Sequence, residues 1–307
     1  MKKTVSAALT DFLEAGRANG LRPASLKWYA SLLSAFAARH GADRLKDVSS
    51  GHIRRYIIDL RERKDRYTTA SQRPKQSGGL SDSSIASHMR ALFAFWGWCE
   101  REYGVENPMR NIKHPKQPQP SPKSILPEDF VKLFNCADSY RDRAMLAFLA
   151  DTGCRLGGLA GLRIEHINLV DRRARVTEKG EITRNVVFTG YTRVLLLYCF
   201  DERKSGAAWP SLTTGEPLKE SGIYQMLKKL KKRAGVTGRV NPHSFRHRFA
   251  IAYLEAGGDA ISLAKLMGDD IQTVYHYYAG FMPDELSILH ERFSPLLRMM
   301  QTPAETS

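Results

Sequence analysis

Six prolines fall between residues 107 and 127, in the stretch NPMRNIKHPKQPQPSPKSILP. Proline lacks an amide hydrogen and clashes with the preceding turn, so no helix or central strand runs through such a segment. The chain is therefore expected to fold as two bodies, and its 307 residues suffice for two cores of ordinary size. The expected division is an all-helical domain over residues 1–106, an extended linker over 107–126, and a second domain over 127–307. Lys113, Lys116 and Lys123 suit a linker running along a phosphate backbone, although solubility alone also accounts for them.

Periodicity sets the expected fold class as mainly α with a small antiparallel β-sheet. Val5, Ala8, Leu9, Phe12 and Leu13 recur at helical spacing, as do Leu26, Tyr29, Leu32, Leu33 and Phe36. Further helices are expected over residues 50–63 and 81–103, joined by the polar loop KDRYTTASQRPKQSGG. Beyond the linker, two helices near 128–137 and 141–152 and a short one ending at Leu162 precede HINLVDRRARVTEKGEITRNVVF. That segment alternates apolar and polar residues around DRR and KGE turns, the pattern of a strand meander. Helices return over 191–204, 219–234, 244–256, 261–267 and 271–278. A last one is expected over 283–300, kinked at Pro295, with Leu286, Leu289, Phe293, Leu296, Leu297 and Met300 as an apolar stripe.

Charge narrows the partners. Forty-seven Lys and Arg against 32 Asp and Glu give a net +15, which commonly marks a chain that meets a polyanion. Arg54, Arg55, Arg61, Arg63, Lys64, Arg66, Arg73 and Lys75 concentrate that charge on the third helix and its loop; a solvated face is the plain alternative to a phosphate-contacting one. No run of about 18 apolar residues offers a membrane span. Asp11, Glu14 and Arg17 break the N-terminal apolar stretch, so secretion is not expected. The cysteines at 99, 136, 154 and 199 form no CxxC pair, which suits a reducing cytoplasm.

Several chemistries lack their residues. Neither GxxxxGK[ST] nor a strand-linked GxGxxG is present, and GxSxG is missing too. HSFRH spaces His243 and His247 as two zinc ligands would be, but without the glutamate of HExxH. What remains is an ordered set of cations followed by tyrosines: Arg155 in DTGCRLGG, Lys179 in the KG turn, His243 and Arg246 in NPHSFRHRFA, then LMGDD and VYHYYAGF. Guanidinium forks grip phosphate oxygens in pairs, so two arginines, a lysine and a histidine make a plausible phosphate site. Each alone is an ordinary surface residue of a basic chain.

That order resembles the tyrosine recombinase (phage integrase) family over nearly the whole chain. Thr152-Gly153-Cys154-Arg155 matches the family's T-G-x-R motif, Lys179-Gly180 its hairpin lysine, His243-Ser244-Phe245-Arg246 its H-x-x-R motif, and Leu266-Met267-Gly268-Asp269 the segment before its nucleophile. The resemblance implies a helical SAM-like core-binding domain and an α+β catalytic domain that clamp duplex DNA. It implies cleavage by a tyrosine to give a 3′-phosphotyrosine and a free 5′-hydroxyl, without metal or cofactor. Arg155 and Arg246 then neutralise the phosphate, His243 takes the tyrosine proton and Lys179 protonates the leaving oxygen. Thr273-Val274 and Tyr278-Ala279 select Tyr278 as nucleophile; a gapped match selects Tyr277, and Tyr275 is third. Two positions depart from the pattern: Asp269 stands where the family has His or Trp, with His276 or a lysine as replacement donor, and Gly158 stands where it has an acid. DNA contacts are expected from Arg54, Arg55, Arg73, Lys75, Lys113 and Lys116. The family's habits also imply a homo-oligomer on DNA, a dimer per site and a tetramer in synapsis, its tail docked on a neighbour, in the nucleoid of the cytoplasm. The alternatives are a topoisomerase IB-like or resolvase enzyme, which shares the covalent adduct, and a catalytically weakened DNA-binding relative, which forms none.

Overall fold

The structure is a computed structural model that describes residues 3–66, 76–115, 121–178, 182–282, 290–291 and 294–301. The chain forms two compact units, residues 1–118 and 119–307. In the first, α1 (Val5–Ala18), α2 (Pro23–His40), α3 (Ser50–Glu62) and α4 (Asp82–Tyr103) bury one apolar core. Local chemistry sets their ends. Thr4 and Ser81 cap α1 and α4 through their hydroxyls, Ser49 and His52 cap α3 reciprocally, and Pro23 occupies the first turn of α2. The core is aromatic, with Phe36 edge-on to Tyr56 at 5.1 Å and Trp96 fully buried. The loop after α3 holds a two-stranded ladder the sequence did not announce, β1 (Asp65–Arg66) against β2 (Gln76–Ser77).

The proline-rich stretch is shorter as a connection than expected. Met109 is wholly buried in the first core, and Ile125 is buried in the second, where its amide donates to Ser244 O at 3.1 Å. Apolar side chains inside the expected linker thus anchor both its ends.

The second unit surrounds a three-stranded antiparallel sheet, β3 (Ile167–Asn168), β4 (Arg173–Glu178) and β5 (Ile182–Val187), in the order β3-β4-β5. Alternation along β4 turns Ala174, Val176 and Glu178 inward. Helices α5 (Pro127–Asn135), α6 (Tyr140–Thr152), α7 (Leu156–Ala160), α8 (Gly190–Phe200) and α9 (Glu220–Arg233) pack the main core. Helix α6 is its axis: Met145, Leu146, Phe148 and Leu149 are fully buried, and truncating Phe148 to Ala would cost about 3–5 kcal/mol.

A smaller core joins α10 (Pro242–Glu255), α11 (Ala260–Met267) and α12 (Ile271–Tyr278) through Leu254, Leu263, Met267 and Val274. The expected last helix is divided: Ser294 is non-helical and Pro295 opens α13 (Pro295–Gln301) rather than kinking a longer rod, because proline fits a first turn better than an interior one. Leu286, Leu289 and Phe293 lie outside the described residues. No helix among the described residues is long and apolar enough to cross a membrane.

Candidate active site

Three helix ends and two strands converge on one cluster of charges. Gly153 closes α6 in the left-handed conformation (φ 55°), so the chain reverses and Arg155 becomes the cap of α7. A side chain at Gly153 would strike the Phe249 ring at 2.6 Å, so the position demands glycine on both counts. Asn241 caps α10, accepting from the Ser244 amide at 3.0 Å, and Pro242 starts it. His243, Arg246 and His247 then follow at helical offsets that share one face. Gly268 (φ 61°) ends α11, and Asp270 opens α12 by accepting from Gln272 N at 2.7 Å, which leaves Asp269 in the joint between the helices.

In that joint Asp269 bridges two arginines. One carboxylate oxygen accepts from Arg155 Nη2, and the other accepts from Arg246 Nη2 at 2.6 Å. Arg246 is almost completely buried and also donates to the carbonyls of Gly153 (2.7 Å) and Met267 (2.8 Å). Burial pulls its guanidinium below the usual value, an effect that the Asp269 charge opposes.

Behind Arg155 lies a second carboxylate. Glu178, whose side chain is 2% exposed, accepts from the Arg155 backbone amide (2.9 Å), from Arg155 Nη1 and from Arg184 Nη2 (3.0 Å). Burial alone would push its carboxyl up; the Arg184 and Arg155 hydrogen bonds outweigh it and hold the carboxyl below the ordinary range. Arg184 reaches on from β5 to donate to Leu266 O at 2.6 Å, crossing over Gly268, where a Cβ would meet its chain at 2.5 Å. A Cβ at Gly158 would lie 3.1 Å from Glu178 Cγ. The glycine thus leaves room on α7 for the Glu178 carboxylate that β4 brings to Arg155.

The tyrosine question narrows as well. Of the three candidates, Tyr275 and Tyr277 are exposed while Tyr278 is 3% exposed. The Tyr278 hydroxyl lies 2.7 Å from His247 Nδ1. Burial pushes this phenol up to about 12, with Arg246 pulling the other way. Burial pulls His247 down to about 4, helped by the charges of His243, Arg239 and Arg246, so its ring is neutral near pH 7.

Residues 123–282 match the phage integrase family. That match spans just over half of the chain. The chain belongs to the phage integrase family of tyrosine recombinases. Among named relatives, tyrosine recombinase XerC of Anoxybacillus flavithermus is 28% identical over 275 residues, covering 85% of this chain and 87% of its own. Tyrosine recombinase XerD of Listeria innocua is 28% identical over 232 residues, 71% of this chain and 78% of its own. The same fold occurs in the Tn1549 transposon integrase in complex with a circular intermediate DNA (TM-score 0.72, 18% identity, 95% of this chain and 99% of that one). It also occurs in a lambda integrase dimer bound to a COC′ core site (TM-score 0.69, 16% identity, 92% and 97%) and in a lambda integrase tetramer bound to a Holliday junction (TM-score 0.70, 16% identity, 92% and 78%).

Within this recombinase, the expected set is brought together only in part. Arg155, Arg246 and Asp269 touch, and Tyr278 is adjacent through His247. His243 is exposed on the preceding turn of α10, and it is His247 that lies within hydrogen-bond distance of the Tyr278 oxygen. His276 is exposed, edge-on to Tyr277 at 5.1 Å. Lys179 lies outside the described residues, as do Arg73, Lys75 and Lys116. Arg54, Arg55 and Lys113 are exposed in the first unit. Sequence reasoning missed Glu178, although an acid in the inward phase of a β pattern was a readable signal, and it gave Arg184, in the Arg184-Asn185-Val186-Val187 stretch after the KG turn, no role of its own. It also passed over α9, whose Lys228, Lys229, Lys232 and Arg233 form an exposed basic face opposite buried Ile223, Met226, Leu227 and Leu230.

Proposed function

We propose that this tyrosine recombinase is a site-specific DNA recombinase in which Tyr278 attacks a backbone phosphate, leaving a 3′-phosphotyrosine and a free 5′-hydroxyl. The covalent link stores the energy of the broken bond, so rejoining to another strand needs no nucleotide. The observation that carries the reading is the convergence of Arg155 and Arg246 on a single carboxylate beside a buried tyrosine. Donors preset in that way meet the charge that develops on phosphorus, where removing one typically costs about 10²–10³ in rate. Asp269 holds the pair in register while no phosphate is present and gives way to one. Lys179 protonates the leaving oxygen, as the family motif implies. Glu178 positions Arg155 and Arg184. The basic face of α3, with Lys113 and the other predicted contacts, carries duplex backbone, and residues 1–106 act as the core-binding domain. By analogy with the lambda integrase dimer and tetramer, the enzyme works as two copies per site and four in synapsis, on the nucleoid of the cytoplasm.

The test starts from duplexes that the full-length protein selects out of a randomised pool. A nick at successive positions then traps any covalent complex, and peptide mapping locates the phosphotyrosine. Tyr278→Phe is expected to bind as the wild type does and to form no adduct. An adduct of normal yield from that variant moves the nucleophile to Tyr277, and no adduct from the wild type at any nick identifies a DNA-binding relative instead.

A further inference from the structure

The hydroxyl of Tyr278 has to lose its proton in the proposed reaction, and the structure puts one acceptor against it. We propose that His247, through Nδ1, takes the Tyr278 hydroxyl proton during strand cleavage and returns it during rejoining. This rests on Tyr278 as the nucleophile. His247 and Tyr278 are joined at 2.7 Å across the packed faces of α10 and α12, with ring centroids 5.8 Å apart.

The hydrogen-bond pattern assigns the direction. A buried phenol needs an acceptor for its proton, and His247 Nδ1 is the partner the described residues offer. Tyr278 therefore donates, Nδ1 accepts, and Nε2 carries the ring proton. No other base lies against the Tyr278 hydroxyl among the described residues. The Asp269 carboxylate is taken up by Arg155 and Arg246, and His243 is exposed one turn back along α10. Water has little access to a tyrosine that is 3% exposed.

The electrostatics fit a base that works only with substrate present. The charged and titratable groups facing His247 are His243 and Arg246 on its own helix, Arg239 before it, Asp269 in the α11–α12 joint, and Tyr277 and Tyr278 on α12. Burial, helped by the charges of His243, Arg239 and Arg246, keeps the imidazole neutral so that Nδ1 can accept, and burial keeps the phenol protonated. Transfer before attack is strongly uphill. A phosphodiester brings a negative charge that stabilises imidazolium, and bonding to phosphorus removes the basicity of the phenol oxygen. Proton transfer thus runs together with bond formation. The Oη–P bond forms, the Oη proton moves to Nδ1, the P–O5′ bond breaks, and the 5′ oxygen leaves with its electron pair and takes a proton from Lys179. Rejoining reverses each event, with the imidazolium returning its proton to Oη.

The test measures single-turnover adduct formation by the full-length protein on its selected nicked duplex, from pH 6 to pH 9, for wild type, His247→Ala, His247→Gln and Tyr278→Phe. Removing the base is expected to slow adduct formation by about 10²–10⁴-fold at neutral pH. In His247→Ala the rate should climb about tenfold per pH unit, as hydroxide replaces the imidazole, and added imidazole should restore part of it. Glutamine can accept the hydrogen bond but cannot take the proton, so His247→Gln should stay slow. Should the alanine variant not fold by circular dichroism, the glutamine variant decides. A wild-type rate in His247→Gln overturns the proposal, and so does a slow His247→Ala with the wild-type pH profile and no imidazole rescue. An adduct in Tyr278→Phe instead overturns the nucleophile assignment, so the two failures are distinct.

Discussion

The cations of the two units live in opposite circumstances. On α3 of the first unit, Arg54 and Arg55 stand in solvent and form no ion pair among the described residues. In the second unit, Arg155, Arg184 and Arg246 are tied to two carboxylates and to the carbonyls of Gly153, Leu266 and Met267. A solvated arginine contributes attraction that reaches about a Debye length and fades with salt. A caged one contributes geometry, keeps its aim at any ionic strength, and depends on its counter-charges to stay folded. The net +15 is thus a poor guide to the candidate site, where three guanidiniums face two carboxylates.

The contrast breaks first at Glu178. Replacing this buried acid with alanine leaves Arg184 without its carboxylate partner and Arg155 with Asp269 alone. Losing one partner of a buried pair costs about 3–5 kcal/mol, so the catalytic unit's Tm should fall by roughly 10 °C. Calorimetry of Glu178→Ala against wild type checks this. The sign with pH follows from the lowered carboxyl: the pair stabilises the fold above the ordinary glutamate value of 4.5, and the stabilisation is lost as pH falls through the folded-state value. The variant should therefore lose less stability than wild type on acidification below 4.5. A variant melting with the wild type would mean that the arginines need no such anchor.

Asp269 is the next point of leverage, because in the proposed mechanism its charge competes with the phosphate. A negative charge about 4 Å from the phosphodiester opposes binding by about 4 kcal/mol at an effective dielectric of 20, most of it relieved when the carboxylate rotates away. Asp269→Asn keeps the shape and one acceptor but removes the competition. Its affinity for the selected duplex should rise roughly tenfold, a gain of about 1.4 kcal/mol. Fluorescence anisotropy at fixed salt reads this directly, and weaker binding would instead make the carboxylate an essential brace for the arginines.

The same contrast explains what the sequence disclosed. Arg155, Arg246 and the tyrosines were legible because each lies in a short motif at a helix end, where glycine or proline fixes the backbone. Their mutual contacts were not, since they join α6, α10 and the α11–α12 joint across long separations. Asp269 read as a missing donor, yet it is an acceptor for two. Glu178 was hidden as one more inward position of a strand, and its meaning depends on how closely it packs against Gly158. His247 was in view as half of an incomplete zinc pattern; only the packing of α10 against α12 reveals its partner. The α10 helix itself came out well, because a capped start and a proline are local signals.

At the solvated end of the comparison the effect is smallest in stability and clearest in salt. Arg54→Ala with Arg55→Ala removes two exposed charges from the outer face of α3, while Ile53, Tyr56 and Leu60 on its inner face remain packed. Exposed substitutions of this kind shift stability by about 0.5 kcal/mol or less, so Tm should hold. Binding should respond differently. Each phosphate contact releases condensed counterions and adds about 0.9 to the slope of log K against log salt, so losing two contacts should flatten that slope by roughly 1.8. Titrations of the full-length protein on the selected duplex over a range of salt measure it. Caged arginines would change affinity without changing the slope in this way, because in the free protein their charge is already met by carboxylates rather than by solvent. An unchanged slope in the double variant would assign Arg54 and Arg55 to solubility and shift the search for backbone contacts to the lysine face of α9.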